Sequence, residues 1–206
     1  MKPGDEAPVK VLHTPFDEET VRSLVLGDTC VIDGIVWGIR DATLIRIFDQ
    51  HQPPPADLTG AAILHVAPSV RRREDGGYDP ISVGTTTSAR MDRFTSGCLR
   101  ELGVRAIIGK GGLSDASLQQ FQQVGGVYLS IVGGAASLET TQVEAIEAVY
   151  WEDLMPECLW KFRVKDFGPL FVTMDSHGRS TYSDVRAQAG RNLEKAYERL
   201  GIRSPG

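Results

Sequence analysis

Hydrophobic residues in the first part of the chain fall into short runs separated by polar or proline-rich stretches. The run at residues 30–39 is rich in Val and Ile and predicts a strand or a tight pair of strands, because Gly34 and Gly38 interrupt it. Residues 40–50 follow it with apolar positions at nearly helical spacing and predict a helix. Residues 61–68 form another run of the buried-strand type, and three prolines at 53–55 predict an irregular connector before it.

Weaker patterns flank these elements. Residues 1–26 contain three prolines and predict an extended entry segment, with one strand at VKVLH and a short helix near Asp17 to Leu26. Residues 69–80, SVRRREDGGYDP, are polar and predict an exposed loop whose arginines are balanced by the acids that follow them.

Helices, strands and glycine turns alternate between residues 84 and 136, which is typical of parallel α/β packing. The segment GTTTSAR begins a helix with hydroxyl residues, and RAIIGKGG and VYLSIVGGAAS predict two strands that end in glycines. In the predicted helix from Ser88 to Leu102, the apolar residues share one face that packs on a core. These residues are Met91, Phe94, Cys98, Leu99 and Leu102.

Strand-like runs dominate after residue 143, and they indicate antiparallel or mixed pairing. They are VEAIEAVYW, CLWKFRV and PLFVTMD. A C-terminal helix within residues 183–206, from about Asp184 to Leu200, carries a stripe of apolar residues. The sequence therefore predicts an α/β fold with a mixed sheet, built as a single domain over residues 1–206.

Composition narrows the class of protein. A chain of 206 residues with 41% hydrophobic and 24% charged residues is long enough to bury a substantial core. The net charge of -5 argues against general binding to nucleic acid or an anionic membrane, so an anionic ligand needs a local basic pocket. No apolar run approaches the ~20 residues of a membrane span and the start lacks a signal-peptide core, so we expect a soluble cytoplasmic protein.

The sequence contains no pattern of metal ligands. Cys30, Cys98 and Cys158 lie far apart and form neither a disulfide framework nor a C-x-x-C site, so we interpret them as buried thiols. The four histidines lack H-x-x-x-H spacing and are interpreted as structural or surface residues. We therefore assign no metal ligand to this chain.

Three segments place a cation or a hydroxyl beside glycines where a strand meets a helix, the usual position of ligand sites in α/β folds. They are GIRD, GTTTSAR and IGKGG. Arg90 is placed to hold a carboxylate with two parallel hydrogen bonds, or else is a solvated surface arginine. Arg40 either points to the cleft or only precedes a helix, and the loop around Lys110 lacks the spacing of a phosphate loop.

Six segments together resemble the β-subunit of L-tartrate dehydratase and the C-terminal domain of class I fumarases, in order from about residue 27 to residue 182. They are GDTCVIDGIVWGIRDA, GTTTSARMDRFT, AIIGKGG, GGAASL, VYWEDL and LWKFRVKDFGPLFVTMDSHG. The resemblance implies a swivelling β/β/α domain that closes over a [4Fe-4S] cluster. That cluster would be ligated by a separate α-subunit and not by this chain.

The implied activity is that of a hydro-lyase, which reversibly adds water to or removes it from a C4 hydroxy-dicarboxylate. Fumarate/malate and L-tartrate/oxaloacetate are the implied substrate pairs. The implied assembly is an αβ or (αβ)2 complex with the α-subunit, or a homodimer of this chain. Carried over by motif, Thr86 is the base or proton relay and needs an activating partner. The residues carried over as substrate-binding are Arg40, Arg90, Lys110 and Thr87.

Two positions depart from the family pattern. Thr85 stands where the family usually has a proline, and Leu44 stands where it usually has a histidine. These changes leave open a non-catalytic or regulatory paralogue that keeps the anion pocket. A third reading is a phosphate-ligand enzyme built around the glycine loop at Lys110, which would bind nucleotides or sugar phosphates without a partner.

Overall fold

The computed structural model describes residues 8–132, 134 and 136–202, in which strands alternate with helices up to residue 141 except for three consecutive strands within residues 62–82. The strands are β1 (Lys10–His13), β2 (Thr29–Ile39), β3 (Ala62–His65), β4 (Ser69–Arg72), β5 (Tyr78–Ser82), β6 (Ala106–Gly109), β7 (Val127–Ile131), β8 (Val143–Tyr150) and β9 (Leu159–Met174). The helices are α1 (Glu18–Arg22), α2 (Asp41–Leu44), α3 (Thr95–Arg100), α4 (Asp115–Val124), α5 (Ala136–Thr141) and α6 (Thr181–Leu200). A π-helical turn, Ile45–Asp49, extends α2, and a 3-10 helix, Ser88–Phe94, precedes α3. A further 3-10 turn is Glu152–Leu154.

Five strands close into a ring. Strands β1, β2, β3, β6 and β7 are parallel neighbours, and the long strand β9 pairs antiparallel with both β2 and β7. The ring therefore runs β2, β3, β6, β7, β9 and back to β2, while β8 adds to the first half of β9. Strands β4 and β5 form a separate hairpin. The predicted α/β class with a mixed sheet is confirmed, and the sheet is partly barrel-like.

The parallel strands β3, β6 and β7 are buried on both faces because the ring has an apolar interior and carries helices outside. Ala62 and Leu64 of β3 belong to the inner core, which includes Trp160, whereas Ile63 between them belongs to the outer core under the helices. This alternation follows from the two-residue repeat of a strand. In the outer core, Met91 of the helical face predicted to pack is 1% exposed.

The predicted strand at VKVLH, the helix near Asp17 and the strands over 30–39 and 61–68 are confirmed as β1, α1, β2 and β3. The first seven residues of the predicted entry segment lie outside the described residues. The predicted helix after residue 40 is confirmed in position, although most of it is a π-helical turn.

The exposed loop predicted for residues 69–80 is wrong, because this segment forms the β4–β5 hairpin. Arg71 of β4 pairs with Asp79 of β5 at 3.0 Å, and the ring of Tyr78 packs edge-on against Trp160 at 5.9 Å. Charged side chains that suggested a loop, Arg71 and Asp79, therefore pair across the two strands of this hairpin. Tyr78 attaches the hairpin to the inner core through its contact with Trp160.

The two strands predicted at CLWKFRV and PLFVTMD are one strand, β9. Its path bends near Asp166 and Gly168, whose φ angles are 50° and 155°, and its register with β2 shifts nearby. Such irregularities let a strand bend without ending. One segment can therefore complete the ring with both β2 and β7.

Helix α6 confirms the predicted C-terminal helix, with Ser180 as its N-cap. Its first turn contacts the domain, since the ring of Tyr182 packs edge-on against Tyr128 at 6.2 Å. The apolar stripe beyond that turn is exposed: Val185 is 58% and Leu200 70% accessible. Of the helices that the structure describes, none combines the length and apolarity that spanning a membrane would require.

Candidate functional site

The carboxyl ends of β2, β3 and β6 lie side by side at one edge of the sheet. Arg40 directly follows β2, His65 ends β3, and Lys110 directly follows β6. Residues 85–87 cross these ends, with one bridge from Thr85 to Val66 and another from Thr87 to Lys110. The three segments that the sequence singled out therefore meet at the edge where α/β folds usually bind ligands.

Backbone hydrogen bonds hold the crossing segment in place. The Thr86 N–H donates to the His65 carbonyl at 2.8 Å, and the Ser88 N–H donates to the Lys110 carbonyl at 2.9 Å. Gly109 is required for this close approach, because a Cβ at its position would lie 1.9 Å from Ser88 Oγ. The segment leaves Thr86 half-buried and Thr87 exposed at the edge.

A buried polar network lies beneath this segment. The Tyr128 hydroxyl donates to Ser88 Oγ at 2.8 Å, and Ser88 Oγ lies 2.9 Å from His65 Nδ1. Since the serine accepts from the tyrosine, its own proton is available for His65 Nδ1. Burial lowers the pKa of His65 to about 4, although the charge of Asp41 opposes this, so the imidazole is neutral at pH 7. We interpret His65 as a structural support.

Two arginines at the edge share one aspartate. Arg40 Nε lies 3.3 Å from Asp41 Oδ2, and Arg90 Nη2 donates to the same oxygen at 3.0 Å. Arg90 Nε also reaches Asp41 Oδ1 at 3.4 Å. Burial alone would raise the pKa of Asp41, but the hydrogen bonds and charge of the arginines outweigh it and hold that pKa below its ordinary value. Asp41 therefore remains ionised and links the two guanidinium groups.

Glu157 is a second acidic partner of Arg40. Its Oε1 lies 3.3 Å from Arg40 Nε, while its Oε2 accepts a hydrogen bond from the Ala42 N–H at 2.8 Å. It thus supplies the N-terminal cap of α2 that the Arg40 side chain does not provide. Within the described part of the chain, the polar contacts of Arg40 involve Nε, which leaves Nη1 and Nη2 as donors for a ligand.

Lys110 is half-buried, and no carboxylate among the described residues lies within 4.0 Å of its ammonium. The helix N-terminus after its glycine loop already holds an internal anion. Asp92 accepts from the Ser114 N–H at 2.8 Å and from the Ser114 and Ser117 hydroxyls, both at 2.7 Å. A phosphate at the start of α4 would have to displace this carboxylate, which argues against the phosphate-loop reading.

Glu139 of α5 was not identified from the sequence. It is 2% exposed, and its Oε2 accepts from the Thr85 N–H at 3.3 Å. Burial raises the pKa of Glu139 to about 7, opposed by the Thr85 N–H and the charge of Lys110. The only sequence signal was an acid in the otherwise uncharged run GGAASLETT, which does not reveal what it faces.

The two departures from the family pattern have different structural settings. Leu44 is fully buried in the outer core, so its side chain packs against apolar residues. Thr85 is a buried part of the crossing segment, and its hydroxyl donates to the His65 carbonyl at 3.1 Å. Thr85 therefore bears directly on the candidate site, whereas Leu44 acts through the packing of α2.

Within the part of the chain that the structure describes, neither the Thr86 hydroxyl nor the thiols have an activating contact. Among the residues that the structure describes, no side chain hydrogen-bonds to Thr86 Oγ1. Burial raises the pKa of Cys158 to about 11 and those of Cys30 and Cys98 to about 12, and the three lie in separate parts of the two cores. Among the described residues, these separated thiols do not form a set of ligands for an iron-sulfur cluster.

Comparison with known proteins identifies the family. The sequence model described as Fumarase C-terminus matches residues 3–185. The chain is 38% identical over 176 residues to L(+)-tartrate dehydratase subunit beta of Escherichia coli K12, which covers 85% of this chain and 87% of that protein. It is 35% identical over 190 residues to a putative L(+)-tartrate dehydratase subunit beta of Methanocaldococcus jannaschii, covering 90% and 95%.

A longer relative contains the same region. The putative class I fumarate hydratase of Geobacillus stearothermophilus is 38% identical over 194 residues, which cover 94% of this chain and 37% of that protein. The chain thus spans little more than a third of this relative's length. With the family model matching most of its residues, the chain belongs to the Fumarase C-terminus family.

Proposed function

We propose that this chain is the β-type subunit of a hydro-lyase that reversibly adds or removes water at a C4 hydroxy-dicarboxylate. Its substrates would be fumarate/malate or L-tartrate/oxaloacetate, and it would act with a cluster-bearing α-subunit. The observation that carries the proposal is the convergence of Arg40, Arg90 and Lys110 with Thr86 at one sheet edge. The names of the relatives support the hydro-lyase class, and "subunit beta" supports a partner chain.

The three cations suit a substrate with two carboxylates. Asp41 and Glu157 offset two of the charges and orient Arg40 and Arg90, so the edge keeps an excess of one positive charge while Glu139 is protonated. The unengaged Nη donors of Arg40 can hold one carboxylate while Lys110 meets the other. Neutralising a carboxylate also makes removal of the proton beside it less unfavourable.

Thr86 is proposed to accept or relay that proton. A threonine hydroxyl needs an activating partner at neutral pH, and none is found for Thr86 among the described residues. We therefore propose that the α-subunit supplies this partner when it docks on the edge. The [4Fe-4S] cluster proposed for that subunit would supply a Lewis acid for the substrate hydroxyl and carboxylate.

The test is an anaerobic assay of this chain co-expressed with a candidate α-subunit. Fumarate absorbance is followed with malate, and oxaloacetate formation with each tartrate isomer. We expect turnover only when both chains are present. A stable complex without turnover on any C4 or C5 hydroxy acid would instead favour the non-catalytic paralogue that keeps the anion pocket.

The Thr86→Ala variant tests the assigned proton acceptor. We expect turnover of the assembled enzyme to fall by at least ~100-fold, the scale of a positioned acid/base group. Thr59→Ala is the matched control, because Thr59 is an exposed threonine before the amino end of β3, whereas Thr86 lies at the carboxyl ends of the strands. Near-normal turnover of the Thr86 variant would refute the assignment.

A further inference from the structure

Glu139 attaches helix α5 to the segment that carries Thr86. Its carboxylate accepts from the Thr85 N–H at 3.3 Å, and the neighbouring Thr140 Oγ1 accepts from the Val83 N–H at 2.8 Å. These two bonds fasten the chain immediately before Thr86 on the side of α5. The other side is fastened to the end of β3 through the His65 carbonyl.

The electrostatic surroundings of Glu139 contain one opposing charge. The residues that take part in the two hydrogen bonds with Glu139 and Thr140 are uncharged, namely Val83 and Thr85. Lys110 joins the same segment, because it bridges Thr87 two residues after the Thr85 that binds Glu139, and within the described residues its charge acts on Glu139. Because Glu139 is 2% exposed, this field is poorly screened by water. The acid is thus coupled to a cation proposed to hold the substrate.

The contact also explains one departure from the family pattern. A proline at position 85 has no N–H and could not donate to Glu139. Threonine at this position supplies that donor, and its hydroxyl bonds the His65 carbonyl as well. The Thr85 N–H and the Glu139 carboxylate, both buried, therefore satisfy each other as hydrogen-bond donor and acceptor.

We propose that Glu139 is a positioning residue of the site, which holds the Thr85 and Thr86 backbone in place and modulates Lys110 through its charge. When protonated, Glu139 leaves the Lys110 ammonium to an incoming carboxylate. When ionised, its charge weakens the attraction of Lys110 for that carboxylate, so substrate binding weakens as pH rises through about 7. The effect on substrate rests on the proposed function, whereas the hydrogen bond and the coupling to Lys110 do not.

Two measurements on the full chain alone test the contact and the coupling. Glu139→Ala should raise the exchange rate of the Thr85 amide, followed by NMR, by at least ~10-fold, because the amide loses its acceptor. Glu139→Gln should retain most of the protection, since its side-chain oxygen can still accept. Lys110→Met should raise the pKa of the Glu139 carboxyl, followed by its carbon chemical shift.

A third measurement uses the assembled enzyme. We expect KM for the hydroxy-dicarboxylate to rise by about threefold or more between pH 6 and pH 8.5 in the wild type and by less in Glu139→Gln. Glu144→Gln is the matched control, because it removes the same charge from an exposed position on β8 and should behave as the wild type.

Each measurement has an outcome that would overturn the proposal. Unchanged Thr85 exchange in Glu139→Ala would show that the carboxylate does not hold the segment. An unchanged Glu139 titration in Lys110→Met, or the same KM profile in wild type and Glu139→Gln, would refute the coupling. If the assembled complex shows no turnover, the proposed function fails, and amide exchange and titration still decide whether Glu139 positions this segment and senses Lys110.

Discussion

Glu157 divides its two carboxylate oxygens between the backbone of α2 and the Arg40 side chain, which makes its two roles separable by mutation. Oε2 accepts from the Ala42 N–H at 2.8 Å, and Oε1 lies 3.3 Å from Arg40 Nε. Substitution by Ala removes both contacts. Substitution by Gln keeps an oxygen for the amide but removes the charge beside the arginine.

The contacts set the expected loss of stability. A side-chain cap on a helix N-terminus contributes about 1 kcal/mol. The ion pair with Arg40 contributes about 1 kcal/mol or less, because both side chains remain about a quarter exposed to solvent. Glu157→Ala should therefore lower the free energy of unfolding by about 1–2 kcal/mol, and Glu157→Gln by no more than about 1 kcal/mol.

The kinetic effect should follow the arginine and not the helix cap. Without the Glu157 charge, the ion pair that Arg40 keeps among the described residues is the one with Asp41, so its guanidinium is less well oriented for a substrate carboxylate. We expect kcat/KM of the assembled enzyme to fall at least ~10-fold in both Glu157 variants, since small errors of position are costly in a catalytic site. Glu157→Gln would thus lose activity with little loss of stability.

Urea unfolding of the chain and steady-state kinetics of the assembled enzyme would measure the two effects separately. Asp153→Ala is the control, because Asp153 lies on the same connection and pairs with Arg46 at 2.5 Å, outside the site. Its kcat/KM should stay within about twofold of the wild type. Activity losses that simply track stability in both Glu157 variants, or an equal loss in Asp153→Ala, would refute a role in orienting Arg40.

Three further predictions concern the rest of the edge. Arg90→Ala and Arg90→Lys should each lower kcat/KM by at least ~10-fold. Arg93→Ala is the control, because Arg93 makes a similar two-point pairing with Asp49, and its kcat/KM should not fall in this way. Equal losses of kcat/KM in the Arg90 and Arg93 variants would contradict the role of Arg90. Gly109→Ala should lower the free energy of unfolding by about 1–3 kcal/mol, because the added methyl group would clash with Ser88 Oγ. In a double-mutant cycle measured by urea unfolding, the stability losses of Gly109→Ala and Ser88→Ala should be less than additive. Fully additive losses would exclude the clash with the Ser88 side chain as the cause. Burial raises the pKa of Glu139 from 4.5 to about 7, so the folded chain retains a proton that the unfolded chain releases. The free energy of unfolding of the wild type, relative to that of Glu139→Gln, should therefore fall by roughly 3 kcal/mol as pH rises from about 4.5 to 7. Parallel profiles of urea stability against pH for the two proteins would contradict this prediction.

Segments with a strong period were predicted correctly because local pattern and tertiary environment agree. The runs over β2 and β3 are apolar because the ring and the helices bury them on both faces. Segments whose structure depends on distant partners were not predicted. The sequence of the β4–β5 hairpin resembles a charged loop, because the pairing of Arg71 with Asp79 is not apparent from local pattern. The sequence of β9 resembles two strands, because its pairing with both β2 and β7 is a property of the folded sheet.

The candidate site shows the same division. Motifs identified Arg40, Thr86, Thr87, Arg90 and Lys110, and the structure brings these residues to one edge of the sheet. Their acidic partners were not identified, because Glu157 lies 117 positions after Arg40 and Glu139 lies 54 positions after Thr85. Contacts between residues so far apart depend on the order of the strands and leave no local spacing to detect.

The sequence by itself determined the fold class, the positions of most strands and helices, the family resemblance and the segments that carry the chemistry. These properties depend on side-chain periodicity, glycine placement and motif, which are local. Only the tertiary structure decided that β9 closes the ring, that Asp41 joins two arginines and that a buried glutamate supports the Thr86 segment. Those outcomes depend on which strand ends become neighbours and on how far burial removes each charge from water, and both arise only when the whole chain is folded.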